Sequence, residues 1–203
     1  MAAYIWDLDG TLLDSYPVII AAAIKAAADA GIHDDAEYAL RIAKQGMLFN
    51  YLNEVAERSG TPFKTVRESY RAYTHEMDDR IVLMDGAREA LERLQNAGAE
   101  HYVFTHRGTS SEPILERLGI LGYFREIVTS AAGFPAKPSG EAVRYLTQKY
   151  GLNPDETWYV GDRPIDVLCA EDAGVRSVLL LPDGACVTPT GYEDRVIRSL
   201  NEL

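Results

Sequence analysis

Two carboxylates spaced two apart, Asp7 and Asp9, follow the apolar run Tyr4-Ile5-Trp6 and precede Gly10-Thr11. In an extended chain residues i and i+2 project to the same side, so both acids can face one pocket at a strand's end. Gly10 lets the backbone turn sharply there. Converging carboxylates repel unless a cation or a shared proton relieves them. The stretch therefore calls for a metal, an acid/base role, or both, and the rest of the chain has to supply the partners. Three later segments offer them: Thr105-His106-Arg107-Gly108, Lys137-Pro138, and Gly161-Asp162-Arg163-Pro164-Ile165-Asp166. Several carboxylates with a lysine and a hydroxyl make a site for a hard cation and a phosphate group.

The elements around these segments explain how they meet. Short apolar runs at Tyr4–Trp6, His101–Phe104, Glu126–Thr129, Thr157–Val160 and Ser177–Leu181 read as buried strands. Helical patterns lie between them: Ala87 to Gln95, a segment carrying Ile114, Leu115 and Leu118, another carrying Ala142, Val143 and Leu146, and Pro164 to Ala173. Glu193 to Leu200 reads as a terminal helix. Strands alternating with helices predict an α/β fold, a doubly wound parallel sheet with helices on both faces. Such sheets bind ligands beyond the C-terminal ends of their strands, where each of the four segments falls.

Between Ser15 and about Arg80 the pattern differs. Helices are expected after Ser15-Tyr16-Pro17, from Ala36 to Lys44, over Leu48 to Ala56, and after Gly60-Thr61-Pro62, with no convincing strand. This divides the chain into a core of residues 1–14 and 84–203 and an inserted helical unit of residues 15–83.

Composition narrows the function classes. Of the 203 residues 47% are hydrophobic and 25% charged, ordinary for a soluble globular protein. No apolar run approaches membrane-spanning length, and no basic segment precedes an apolar one at the N-terminus, as a secretory signal requires. Cys169 and Cys186 lack metal-ligand spacing. The expectation is a cytoplasmic protein without a membrane partner. A formal net charge of −11 argues against nucleic acid, which requires a basic footprint. It also means that phosphate chemistry here rests on a local cation rather than on the overall field.

With its four segments in this order, the chain resembles the haloacid dehalogenase superfamily of phosphohydrolases along its whole length. Asp7-Leu8-Asp9-Gly10-Thr11 matches the first family motif, Thr105 the second, Lys137 the third, and Gly161-Asp162 through Asp166 the fourth. The helical insert sits where the family places its small cap. Asp14-Ser15-Tyr16-Pro17 is similar to the phosphoglycolate phosphatase-like branch. The resemblance implies a phosphatase acting on a small phosphorylated metabolite with Mg²⁺ as cofactor. It makes Asp7 the nucleophile, which forms an aspartyl-phosphate, and Asp9 the general acid and base. It gives the metal to the Asp7 carboxylate, the Asp9 carbonyl and Asp162, with Asp166 acting through water or by orienting Lys137. Thr105 and Lys137 bind phosphoryl oxygens.

Some positions remain open at this level. The family commonly carries Asn after the second-motif hydroxyl residue, and here it is His106. His106 and Arg107 are candidates for substrate contact, Arg107 through bidentate pairing with a carboxylate or phosphate. In the cap, Gln45 and Gly46, within Lys44-Gln45-Gly46-Met47, occupy the place of a specificity loop. A β-phosphoglucomutase-like phosphotransferase and a catalytically silent binder of phosphorylated ligands are the alternatives. A 2-haloacid dehalogenase is disfavoured by Asp9, and a phosphonatase needs an imine-forming cap lysine, for which Lys44 is the only candidate. Substrate identity and oligomeric state are not written in the sequence.

Overall fold

The computed structural model describes residues 2–203. The chain divides into two units: one combines the N-terminal stretch through Asp14 with Val82–Leu203, the other is Ser15–Ile81.

The second unit is built from helices α1 (Tyr16–Asp29), α2 (Ala36–Gln45), α3 (Leu48–Ser59) and α4 (Phe63–Met77). Pro17 lies in the first turn of α1, where its missing N–H goes unneeded. The Ser15 side chain makes no capping bond; its carbonyl accepts from Val18 and Ile19 at 3.1 and 2.9 Å. Asp35 does cap α2, accepting the Tyr38 N–H at 2.7 Å. Gly60 ends α3 at φ 69°, the left-handed conformation glycine adopts without strain. Ile20, Ala23, Tyr51, Leu52, Val55 and Val66 form this unit's core.

The first unit holds a six-stranded sheet of β1 (Ala3–Trp6), β4 (Glu100–Phe104), β5 (Phe124–Val128), β6 (Thr157–Gly161), β7 (Arg176–Leu180) and β8 (Arg195–Ile197). The order is β5-β4-β1-β6-β7-β8 and every pairing is parallel. Helices α5 (Ala87–Asn96), α6 (Ser111–Arg117), α7 (Glu141–Tyr150) and α8 (Pro164–Ala173) connect the strands. Ile5, Tyr102, Phe104 and Tyr159 pack with Val143, Leu146 and Ala170 in one core cluster. The expected doubly wound α/β sheet is what forms.

Two departures from expectation concern the ends of segments. The helical insert stops at Ile81, because Val82–Leu83 (β3) pairs antiparallel with Leu13–Asp14 (β2). Two-residue strands leave no periodicity to read. The C-terminal segment is not the helix Glu193 to Leu200. It is strand β8 followed by a 3-10 turn, Leu200–Glu202. The Asp194 carboxylate accepts the Ser177 N–H at 2.8 Å, fixing the segment beside β7, and Leu181 donates to the Ile197 carbonyl at 2.8 Å. Val196 and Ile197 are β-branched and suit that edge.

β1 is central, with Trp6 level with Val103 of β4 and Val160 of β6. The residues that follow these three strands therefore emerge at one rim. No helix among the described residues is long and apolar enough to cross a membrane.

Candidate active site

Asp7 leaves β1 with its N–H still bonded to the Val160 carbonyl at 2.9 Å, so its position is set by the sheet. The chain then folds back on itself. The Leu8 carbonyl accepts from Thr11, Leu12 and Leu13, and Gly10 turns at φ 83°. A side chain at position 10 would strain this loop, which holds Asp7 and Asp9 in fixed relation.

Asp7 is 1% exposed. Its Oδ1 lies 2.8 Å from Lys137 Nζ, which donates at 2.7 Å to Asp166 Oδ1. Lys137 is itself buried between aromatic rings, 5.4 Å from the Phe104 centroid and 5.2 Å from that of Tyr159. Burial alone would lower its pKa, but the carboxylates of Asp166 and Asp7 outweigh that and hold it above the ordinary lysine value. Burial conversely pushes the Asp166 carboxyl up, and Lys137 and Arg163 more than reverse the effect, leaving it below the usual carboxylate range. Asp166 Oδ2 also accepts the Arg163 backbone N–H at 3.1 Å, tying the first turn of α8 to the cluster. Such buried charges persist only when paired.

Asp162, at the end of β6, is 2% exposed. One carboxylate oxygen from each of Asp7, Asp162 and Asp166 lies within 4.8 Å of the others. Sequence reasoning passed over Arg163, which the structure places beside all three. Its guanidinium is 3.6 Å from Asp7 Oδ2 and 3.9 Å from oxygens of Asp162 and Asp166. The available signal was its place inside an acidic run at a buried strand end, where an arginine is rarely buried unless paired.

Three carboxylates thus face two cations, Lys137 and Arg163. Asp7 Oδ2 is buried and takes no hydrogen bond among the described residues. A donor set made of carboxylate oxygens from Asp7, Asp162 and Asp166 fits a hard divalent cation.

Thr105 follows β4, wholly buried, and its Oγ1 accepts the Arg107 backbone N–H at 3.1 Å. Its own O–H remains a donor. His106 lies against Lys137: its Nε2 accepts the Lys137 backbone N–H at 2.8 Å. Burial, with Lys137 nearby, lowers the His106 pKa to about 4, so the ring is neutral near pH 7 and serves as an acceptor. Arg107 reaches Asp9: Nε and Nη2 donate to Asp9 Oδ1 at 3.1 and 2.7 Å. The two aspartates of the first motif therefore have different partners, Lys137 for Asp7 and Arg107 for Asp9. Gln45 and Gly46 belong to the helical unit, at the end of α2. Cys169 is buried, and burial pushes its thiol up to about 12, which removes thiolate reactivity.

Comparison with known proteins places the chain in a family. The sequence profile described as haloacid dehalogenase-like hydrolase matches residues 4–180. A phosphoglycolate phosphatase from Vibrio parahaemolyticus is 30% identical over 182 residues, covering 85% of this chain and 80% of the relative. The pyrophosphatase PpaX of Bacillus velezensis is 26% identical over 184 residues, covering 87% and 82%. The crystal structure of a predicted phosphoglycolate phosphatase from Haemophilus somnus superposes with a TM-score of 0.87 at 24% identity, covering 100% of this chain and 96% of that one, a likeness of fold. The chain belongs to the haloacid dehalogenase-like hydrolases and is an enzyme of their phosphatase class.

Proposed function

We propose that this enzyme is a Mg²⁺-dependent phosphatase that hydrolyses a small phosphorylated metabolite through an aspartyl-phosphate on Asp7. The observation that supports this reading most is the state of Asp7. It is buried, one oxygen is held by Lys137, and the other takes no hydrogen bond among the described residues.

In the first step an Asp7 oxygen attacks phosphorus while the bond to the leaving oxygen breaks, and Asp9 gives that oxygen a proton. In the second, Asp9 takes a proton from the water that attacks phosphorus, the Asp7–phosphoryl bond breaks, and the carboxylate is restored. Lys137 and the Thr105 hydroxyl hold phosphoryl oxygens, and their charge and dipole strengthen as negative charge gathers there. Asp166 orients Lys137, and Arg163 offsets the crowded carboxylates. Asp7, Asp162 and the Asp9 carbonyl would hold Mg²⁺, which supplies charge stabilisation to the transferring phosphoryl group when bound. The substrates in the relatives' names are small and densely charged, so 2-phosphoglycolate and inorganic pyrophosphate head the list to be screened.

Phosphate release from p-nitrophenyl phosphate tests the reading. Turnover is expected with Mg²⁺, with losses of at least about a hundredfold after chelation and in Asp7→Asn. Turnover that survives either change contradicts it.

A further inference from the structure

We propose that Arg107 is the positioning residue for Asp9, fixing which of its two oxygens carries the catalytic proton. This deepens the reading of Asp9 as general acid and base, and rests on it.

The observation is the form of the pairing. A guanidinium usually meets a carboxylate fork to fork, one N–H to each oxygen. Here Nε at 3.1 Å and Nη2 at 2.7 Å both converge on Oδ1. Oδ2 takes no hydrogen bond among the described residues, and the Asp9 side chain keeps 19% of its surface exposed while that of Arg107 keeps 9%. Arg107 is itself anchored, through its backbone and through its guanidinium. Thr105 Oγ1 holds the Arg107 backbone N–H at 3.1 Å, and Nη1 reaches Ser110 Oγ at 3.4 Å. Arg107 is thus tied into the turn that leaves β4, on the strand next to the one that carries Asp9.

A grip on one oxygen suits a group that must give and then retake a proton. In the protonated acid Oδ1 is the carbonyl oxygen and still accepts both N–H bonds, while Oδ2 carries the hydrogen. In the carboxylate Oδ1 accepts the same two bonds, and Oδ2 is the base. Neither half-reaction requires Arg107 to move. A fork-to-fork pair would set an N–H against the oxygen that bears the proton. The proton therefore passes from Oδ2 to the leaving oxygen as its bond to phosphorus breaks. It is replaced on Oδ2 from the attacking water as phosphate forms.

The test compares two aryl phosphates of like shape. p-Nitrophenolate leaves without protonation, whereas phenolate, the anion of a phenol with pKa about 10, depends on the acid. Wild type, Arg107→Met and Arg107→Lys are taken through a single turnover with p-nitrophenyl phosphate and with phenyl phosphate, with enzyme in saturating excess over substrate and at fixed pH. For Arg107→Met, release of phenol is expected to slow by about tenfold to a hundredfold, and release of p-nitrophenol by less than about threefold. Arg107→Lys, which supplies a cation without the fork, should recover part of the phenol rate. In an Asp9→Asn background Arg107→Met should add little further loss. Equal slowing of both substrates, or no slowing of either, overturns the positioning role. If Arg107→Met does not fold, Arg107→Lys carries the same comparison. Absence of wild-type turnover of both substrates would instead overturn the phosphatase reading.

Discussion

Gly161, the last residue of β6, faces the cluster so closely that a methyl group there would reorganise it. A Cβ built at position 161 would lie 2.3 Å from Asp166 Cβ, 2.4 Å from its Cγ and 2.6 Å from its Oδ2. Ordinary carbon contacts sit at about 3.5–4.0 Å, so Gly161→Ala demands a shift of more than about 1 Å. Asp166 cannot swing aside freely, since Oδ1 is held by Lys137 at 2.7 Å and Oδ2 by the Arg163 N–H at 3.1 Å. Relief comes by moving the start of α8 or by giving up those bonds. Overpacking costs about 1–3 kcal/mol, and loss of a charge-assisted bond adds about 1.5–3 kcal/mol. A net destabilisation of about 3–5 kcal/mol is expected, which lowers the melting temperature by roughly 6–20 °C in a chain of this size. The rate should fall by at least about tenfold, because Lys137 loses the partner that aims it. Gly122→Ala, where nothing lies within 4 Å of the new Cβ, is the control and should stay within about 0.5 kcal/mol of wild type. Scanning calorimetry and p-nitrophenyl phosphate turnover read both effects. A Gly161→Ala protein that melts and turns over like wild type would refute the packing argument and the role given to Asp166.

Other perturbations test the remaining parts. Lys137→Ala leaves Asp7 and Asp166 without their shared cation, so a loss of about 3–5 kcal/mol at neutral pH is expected in urea titrations. His101 accepts the Trp6 indole N–H at 3.1 Å, and burial lowers its pKa to about 4 from 6.5. The unfolded chain therefore binds this proton first, and stability present at pH 7 is lost as pH falls through 6.5. The two-pKa relation puts that loss at roughly 2 kcal/mol by pH 5. His101→Gln should flatten the pH 7-to-5 slope by that amount, and an unchanged slope would contradict the assignment. His106→Asn tests the contact with the Lys137 backbone: the shorter amide still accepts, so folding should persist while kcat drops by about tenfold from a displaced Lys137.

Local chemistry made much of this molecule legible. Pro164 at the first turn and Gly174 at φ 73° after the last residue delimit α8 as the sequence suggests. The apolar run after Ala3 is the central strand, and Asp7, Lys137, Asp162 and Asp166 do converge. What stayed hidden depends on distant partners. Arg163 pairs across the sheet rim with Asp7, and its acidic neighbours Asp162 and Asp166 hint at burial without naming that distant partner. β8 lies where it does because the Asp194 carboxylate accepts from the N–H of Ser177, seventeen residues away. A local signal did exist there: Ser199 and Glu202 form a capping box, which marks the start of a turn at Ser199 rather than the interior of a helix. Arg107 pointed toward substrate on sequence reasoning, yet its fork closes on Asp9, a contact spanning 98 residues.

The proposed mechanism requires that Asp7 become covalently phosphorylated. Rapid acid quench of the Asp9→Asn enzyme during turnover of p-nitrophenyl phosphate with Mg²⁺, followed by mass spectrometry of the peptide spanning Tyr4 to Leu13, tests it directly. Asp9→Asn removes the base for the second step, so the intermediate should accumulate. The expected result is a peptide heavier by one phosphoryl group, localised to Asp7 and discharged by hydroxylamine. Turnover with Asp7 unmodified at every quench time, or a phosphoryl group on another residue, would contradict it.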